Sequence, residues 1–135
     1  MKLKPLWLAF AAGAFWLLMF IGTHLPKKQN GRKEYGLDKV AHFSAFAILA
    51  VLLCLAAARW SGRLRWYHLA GVVTALSLYG MFDEITQAFL TTTRKADVQD
   101  WIADTCGAAV GAIAAYAFSE RFTNGGKNIG SSDRN

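Results

Sequence analysis

The sequence predicts an all-α membrane protein, a bundle of four transmembrane helices. Hydrophobic residues make up 54% of its 135 residues, and they lie in four blocks instead of the shorter amphipathic runs of a soluble domain. Each block is about long enough to cross a hydrocarbon core of roughly 30 Å at a rise of 1.5 Å per residue. The net charge of +6 comes from Lys and Arg at the block edges, where side chains meet lipid headgroups. This pattern favours membrane lipids as partners and not nucleic acid, which would require basic residues on a soluble face.

The first helix is expected over residues 5–24, after a basic start that contains Lys2 and Lys4. This segment is similar to a signal peptide, but its apolar stretch is longer than a usual signal core. It is also not followed by a small-x-small cleavage site. We therefore interpret it as an uncleaved first transmembrane helix, joined to the second by a basic loop.

The second helix is predicted over residues 38–58 and the third over residues 67–90. The turn between them runs from Arg59 to Trp66 and is both basic and aromatic, which is typical of a membrane interface. The last two turns of the third helix are polar. They carry Asp83, Glu84 and Gln87.

The fourth helix is predicted over residues 97–118, which completes one domain over residues 1–118. The tail over residues 119–135 is rich in Gly, Asn and Ser and is predicted to be disordered. Four crossings place both termini on one side of the membrane. Basic residues are nearly balanced between the two sides, but the basic start and the short basic turn favour cytoplasmic termini.

Most of the acidic residues belong to helix ends that face the other side of the membrane. Two helices also carry polar and small residues at alternating spacings of three and four, so that each set shares one helix face. Polar groups facing lipid are costly, and we therefore expect these faces to meet in a polar pocket open to one interface. The acids are Asp38, Asp83, Glu84, Asp97, Asp100 and Asp104, and the two faces are Ser77, Gly80, Glu84, Gln87, Thr91 and Asp97, Asp100, Asp104, Gly107, Gly111.

Several of these residues have simpler interpretations. Asp38 and Asp97 stand where helices are predicted to begin, which favours a capping role. Asp83 is expected to point away from the polar face, towards the interface. A buried hydrogen-bonded network that only fixes helix packing also remains open for the whole group. His24 and His68 are expected at interfaces, Gly107 and Gly111 in helix packing, and Cys54 and Cys106 as buried apolar side chains.

Three motifs in order along the chain resemble those of the VanZ-like family. The first is Asp38-Lys39-Val40-Ala41-His42-Phe43, the second is Asp83-Glu84-Ile85-Thr86-Gln87, and the third comprises Arg94, Asp97, Asp100, Asp104, Gly107 and Gly111. Asp104 stands where Asn is common in that family. The resemblance implies a bacterial membrane protein, in a family named for an accessory factor in teicoplanin resistance, and it brings no settled reaction or ligand.

The residue types in the pocket predict three kinds of role. His42 or Glu84 is a candidate general base. Glu84, Asp100 and Asp104 are candidate ligands of a divalent cation such as Mg²⁺, which takes oxygen ligands and bridges phosphate. Candidate binding residues are Asp38, Lys39, Gln87, Arg94, Asp97, Asp100 and Asp104, with Lys95 beside Arg94 at the rim.

These residues are consistent with two functions of different classes, and whether the protein is an enzyme stays open. In the first, the pocket binds or acts on a lipid-linked envelope component, such as a cell-wall precursor, in the bacterial plasma membrane. In the second, a non-enzymatic factor binds a partner protein or alters access to the envelope, with small-residue faces that suit a homo-oligomer. A transporter or proton relay ranks last, because four short helices leave little room for a pathway.

Overall fold

The structure is a computed structural model that describes residues 6–25, 35–90 and 95–129; for Tyr35 and residues 121–129 only the backbone is described. Four helices account for nearly all of it. They are α1 (Trp7–His24), α2 (Tyr35–Ser61), α3 (Trp66–Leu90) and α4 (Val98–Ile129). No strand occurs within these described ranges. The predicted all-helical, four-helix architecture is confirmed.

Two helices extend beyond their predicted ends. Helix α2 begins at Tyr35, so Asp38 lies in its first turn and is not the capping residue that we expected. Helix α4 continues to Ile129, past the predicted end at residue 118 and into the segment predicted to be disordered. Since no proline follows Pro26, nothing in this segment sterically forces the helix to stop. The rest of the predicted tail, residues 130–135, lies outside the described residues.

A tight turn joins α2 to α3 and makes them antiparallel neighbours. Gly62 adopts a φ of 80°, a left-handed conformation that glycine enters without steric cost. Ser61 Oγ lies 2.8 Å from the Ala57 carbonyl oxygen and 2.7 Å from that of Arg63. At the start of α3, the Arg65 N–H donates to His68 Nδ1 at 3.1 Å, so His68 helps to cap the helix.

The bundle is held together by close contact between α2 and α4, the most extensive helix pair in the fold. A Cβ atom built on Gly107 would overlap the carbonyl oxygen of Phe43, and one on Gly111 would overlap that of Ala47. The two backbones therefore approach as closely as small residues permit, as is common between membrane helices. Much of the surrounding core is alanine, including Ala50, Ala108, Ala112 and Ala115.

The outer surface of the bundle is apolar. Large hydrophobic side chains such as Phe10, Leu18, Phe89 and Ile113 are exposed along the helices. Three of the described helical segments are long and apolar enough to cross a membrane: Trp7–His24, Gly36–Ser61 and Val98–Glu120. Helix α3 has 25 residues, about 37 Å at 1.5 Å per residue, but polar residues at its end lower its hydropathy.

The two cysteines occupy different environments. Cys54 is fully buried in the core, as predicted, whereas Cys106 is exposed on α4. The prediction for Cys106 was wrong, because an apolar helix that spans a membrane has an outward face as well as a buried one. Both are free thiols.

Candidate functional site

Three helices bring His42, Glu84 and Asp104 together inside the bundle, and we call these residues the central site. Their exposed fractions are only 6%, 5% and 0%, respectively. His42 Nδ1 lies 3.0 Å from Asp104 Oδ1. One nitrogen of His42 and one carboxylate oxygen from each acid lie within 4.8 Å of one another. The central site is thus a compact arrangement of one imidazole and two carboxylates, shielded from the surroundings.

Two oxygens of the central site have no hydrogen-bond partner among the described residues. They are Glu84 Oε1 and Asp104 Oδ2, and both are buried. The other Glu84 oxygen, Oε2, accepts the Asp97 backbone N–H at 2.7 Å. A buried carboxylate oxygen without a partner costs about 1–3 kcal/mol or more, so this arrangement favours a ligand or a proton at the two oxygens.

Gly80 makes room for Asp104 between α3 and α4. A Cβ atom at Gly80 would lie 3.0 Å from Asp104 Oδ2 and 3.2 Å from Asp104 Cβ. Nearby, Ser77 Oγ and Thr105 Oγ1 are 2.9 Å apart, and Trp101 Nε1 donates to the Ser77 carbonyl oxygen at 3.0 Å. These polar contacts between α3 and α4 position the carboxylate of Asp104 against His42 of α2.

At the rim of the site, Lys39 connects α2 to the start of α4. Its ammonium donates to Asp100 Oδ1 at 2.9 Å and to Asp97 Oδ2 at 3.3 Å. Asp97 is also the N-cap of α4, since its Oδ1 accepts the Gln99 N–H at 2.8 Å. The pKa of Asp97 is held below its ordinary value, mainly by the hydrogen bond from the Gln99 N–H and to a smaller extent by Lys39. Arg94 lies outside the described residues, and Lys95 is exposed.

Asp83 is buried, contrary to the expectation that it faces the interface. Its exposed fraction is 1%. Gln87 Nε2 donates to its Oδ2 at 2.6 Å, while the hydroxyls of Tyr79 and Thr23 each donate to its Oδ1 at 3.3 Å. The prediction failed because it considered only the face of α3 that meets α4, whereas α1 packs on another face. Gln87, predicted as part of the pocket, pairs with Asp83 in this network.

Residues at the end of α1 extend this network and were not predicted as site residues. His24 Nδ1 lies 2.8 Å from the Phe20 carbonyl oxygen, which can only accept, so Nδ1 carries a hydrogen. The other ring nitrogen, Nε2, lies 3.1 Å from Thr86 Oγ1 on α3. The sequence feature that could have identified them is that Thr23 and His24 end the first helix at the same predicted membrane side as the acids.

Two grooves lead from the outer surface towards the polar residues. The first lies between α1 and α2 and has a volume of about 230 Å³; Asp38 and His42 line one part of it, and Met19 and Phe46 another. The second has a volume of about 300 Å³. It runs between α3 and α4 and combines Glu84 and Asp97 with apolar side chains, among them Met81, Ile85, Val98 and Trp101.

This fold and site define a class, the multi-pass membrane proteins whose buried polar site lies at one end of a helical bundle. The family model described as VanZ/LLP1 matches residues 4–119 of the chain. The chain therefore belongs to the VanZ/LLP1 family, which confirms the resemblance seen in its motifs. No curated protein and no solved structure matches the chain.

Proposed function

We propose that this protein binds a phosphorylated, lipid-linked component of the bacterial cell envelope, with the headgroup at the central site. The observation that supports this most directly is the pair of buried oxygens without partners, Glu84 Oε1 and Asp104 Oδ2. Buried polar groups are nearly always paired, so two unpaired oxygens in one site indicate a position for a ligand. The same oxygens would repel a bare phosphate, and a cation between them and the phosphate resolves the conflict.

The grooves support a ligand that has both polar and apolar parts. The groove between α1 and α2 is polar near Asp38 and His42 and apolar near Met19 and Phe46. A lipid has the same division between its headgroup and its chains. Lys39 at the rim carries a positive charge that suits phosphate, although it is partly neutralised by Asp97 and Asp100.

The direction of the helices supports a site in the leaflet opposite the termini. His42 lies near the start of α2, Glu84 near the end of α3 and Asp104 near the start of α4. With cytoplasmic termini in the plasma membrane, the site faces the outside of the cell. In this orientation, the lipid-linked component that we propose as the ligand is bound from the outer leaflet.

We propose only that the site binds this ligand. A reaction would also need a general base. The general-base roles of His42 and Glu84 stay predictions. So does the alternative, a non-enzymatic factor that binds a partner protein or alters access to the envelope. These two functions differ in whether the central site itself holds a lipid.

Native mass spectrometry of the mildly solubilised protein tests this proposal. Glu84→Gln removes the charge but retains a carbonyl oxygen for the Asp97 N–H, so the helix contacts stay intact. We expect the parent to retain a specific phosphorylated lipid and Glu84→Gln to lose it. Glu120→Gln, the same change on a partly exposed residue whose carboxylate is 4.0 Å from Arg63, is the matched control and should retain the lipid.

Equal retention by all three proteins, or none by any of them, would contradict the proposal. In that event the partner-binding alternative is favoured. Far-UV circular dichroism of each sample confirms that its helices are folded.

A further inference from the structure

The donor atoms of the central site are spaced for a metal ion. Two ligands at about 2.0–2.2 Å from one ion lie at most about 4.4 Å apart. The ligand atoms of His42, Glu84 and Asp104 lie within 4.8 Å of one another, so small side-chain adjustments would bring all three onto one ion. Each comes from a different helix, which fixes the spacing by the packing of the bundle.

A second observation, independent of this spacing, also indicates a cation. Glu84 and Asp104 are more than nine-tenths buried, and each has an oxygen that accepts no hydrogen bond from the described residues. Two carboxylates close together in a buried site also repel each other unless a positive charge lies between them. One divalent cation satisfies both oxygens and removes the repulsion.

Another trio, Asp38, His42 and Asp100, has comparable spacing but is less suited to a cation. Asp100 Oδ1 already accepts the Lys39 ammonium at 2.9 Å, and that positive charge would repel a metal ion. Asp38 is also only partly buried. The central site, away from the direct lysine contact, is the better position.

The donor set selects the kind of metal. Mg²⁺ and Ca²⁺ prefer oxygen ligands alone, whereas a mixed set of one imidazole and two carboxylates suits Mn²⁺ or Zn²⁺. We propose that His42, Glu84 and Asp104 bind a divalent cation of the Mn²⁺ or Zn²⁺ type. This rests on the proposed function, in which the cation contacts the lipid phosphate, and it replaces the expected Mg²⁺ site of Glu84, Asp100 and Asp104.

Metal titration of the full-length protein tests the inference. The protein, stripped with a chelator and reconstituted in lipid nanodiscs, is titrated with Mn²⁺ and followed by electron paramagnetic resonance. We expect one Mn²⁺ per chain, displaced by Zn²⁺ but not by an equal concentration of Mg²⁺. Glu84→Gln and Asp104→Asn should each weaken Mn²⁺ binding at least about tenfold, the lower bound for the loss of even an outer-shell partner.

Glu120→Gln is the matched control, because its partly exposed carboxylate lies 4.0 Å from Arg63 and belongs to neither trio. We expect Glu120→Gln to bind Mn²⁺ as well as the parent, and Asp100→Asn, which tests the other trio, to weaken binding less than Glu84→Gln does. A loss in Asp100→Asn as large as that in Glu84→Gln would overturn the assignment to the central site. A folded parent that binds neither Mn²⁺ nor Zn²⁺ would overturn the inference altogether, and the two oxygens would then share a proton.

Lipid retention in the same samples separates this inference from the proposed function. A parent that binds Mn²⁺ without retaining any lipid leaves the metal site standing and contradicts lipid binding. Specific lipid retention by a parent that binds no metal supports lipid binding and contradicts the metal site.

Discussion

At the scale of single residues, buried carboxylates dominate this end of the bundle, and they have unlike environments. Asp83 is surrounded by donors from Gln87, Tyr79 and Thr23. Asp104 pairs with His42 but retains a free oxygen among the described residues. A fully bonded carboxylate serves structure, whereas one with an unsatisfied oxygen is suited to binding. We therefore expect Asp83 to stabilise the bundle and Asp104 to take part in binding, although both are buried.

Replacing Asp83 should destabilise the protein. Asp83→Ala removes the acceptor of three hydrogen bonds, of which the one from Gln87 is fully buried. We expect a loss of about 1–3 kcal/mol or more in the free energy of unfolding. Asp83→Asn should cost less, since rotation of the Gln87 amide can restore a hydrogen bond. Unfolding in mixed detergent micelles measures both. The control Glu120→Ala should cost under about 1 kcal/mol, as for an exposed ion pair, and equal losses at the two sites would refute the buried network.

The charge of Asp97 should stabilise the start of α4 only above acidic pH. Its pKa is lower in the folded protein, so its contribution is fully present above the ordinary Asp pKa of about 3.9 and is lost as the pH falls through the folded pKa. Asn also caps helices well, so Asp97→Asn isolates this charge effect. Thermal unfolding from pH 7 downward should show the parent slightly more stable at neutral pH and the difference vanishing in acid. A difference that persists in strong acid contradicts this explanation.

At the scale of elements, the approach of α2 to α4 determines where the site residues lie. Gly107 and Gly111 bring α4 against the backbone of α2 at Phe43 and Ala47. Asp104 lies one turn before Gly107, and His42 is adjacent to Phe43. The close contact of the backbones therefore places the Asp104 carboxylate within hydrogen-bond distance of His42.

A methyl group at Gly107 should separate these two helices. Gly107→Ala forces a Cβ atom into the Phe43 carbonyl oxygen, and we expect a loss of at least about 1–3 kcal/mol, as for an overpacked core. Gly71→Ala on α3, where a Cβ meets nothing within 4 Å, is the control and should be neutral or stabilising by up to about 1 kcal/mol. Unfolding in mixed micelles compares them, and a neutral Gly107→Ala would contradict the close packing.

This contact also bears on assembly. The small residues that we expected to suit a homo-oligomer are occupied by α2 of the same chain. Association of copies stays a prediction, and it would have to use another surface. The exposed apolar faces of α1 and α3 could contact either another copy or membrane lipid, and their composition suits both.

At the scale of the whole molecule, the polar groups lie at one end of an apolar bundle. The end of α1, the start of α2, the end of α3 and the start of α4 meet there, while the Gly62 turn lies at the other end. The polar groups therefore form a single cluster at one end of the described bundle. The orientation in the membrane then determines which compartment the site faces.

Single-cysteine labelling tests both the crossings and the orientation. In a background with Cys54→Ala and Cys106→Ser, a cysteine is introduced at exposed Lys95, at the site end, or at exposed Arg63, in the turn. We expect Lys95→Cys to react with a membrane-impermeant maleimide in intact cells, and Arg63→Cys only after lysis. The reverse result contradicts the proposed cytoplasmic termini. Labelling of both from one side contradicts the four crossings.

The sequence by itself determined the number of helices, their order and the fact that the acids gather at one end of the bundle. These follow from local properties, because the length of an apolar block and the spacing of polar residues depend only on nearby positions. The motifs around His42, Glu84 and Asp104 also pointed to the family that the comparison confirms. The run from Gly107 to Gly111 indicated a close helix contact.

Only the tertiary structure decided which polar residues meet. Asp83 was expected at the interface and is buried, because the position of α1 on α3 is not encoded in the spacing of α3 alone. His42 lies beside Glu84 and Asp104, and the nearby carboxylate of Asp100 binds Lys39; these contacts join different helices, so the spacing within one helix does not predict them. The sequence predicted α3 as a transmembrane helix, and only the packed bundle shows that the polar groups at its end are enclosed by the other helices. Contacts between distant segments depend on packing, and packing is a property of the assembled bundle.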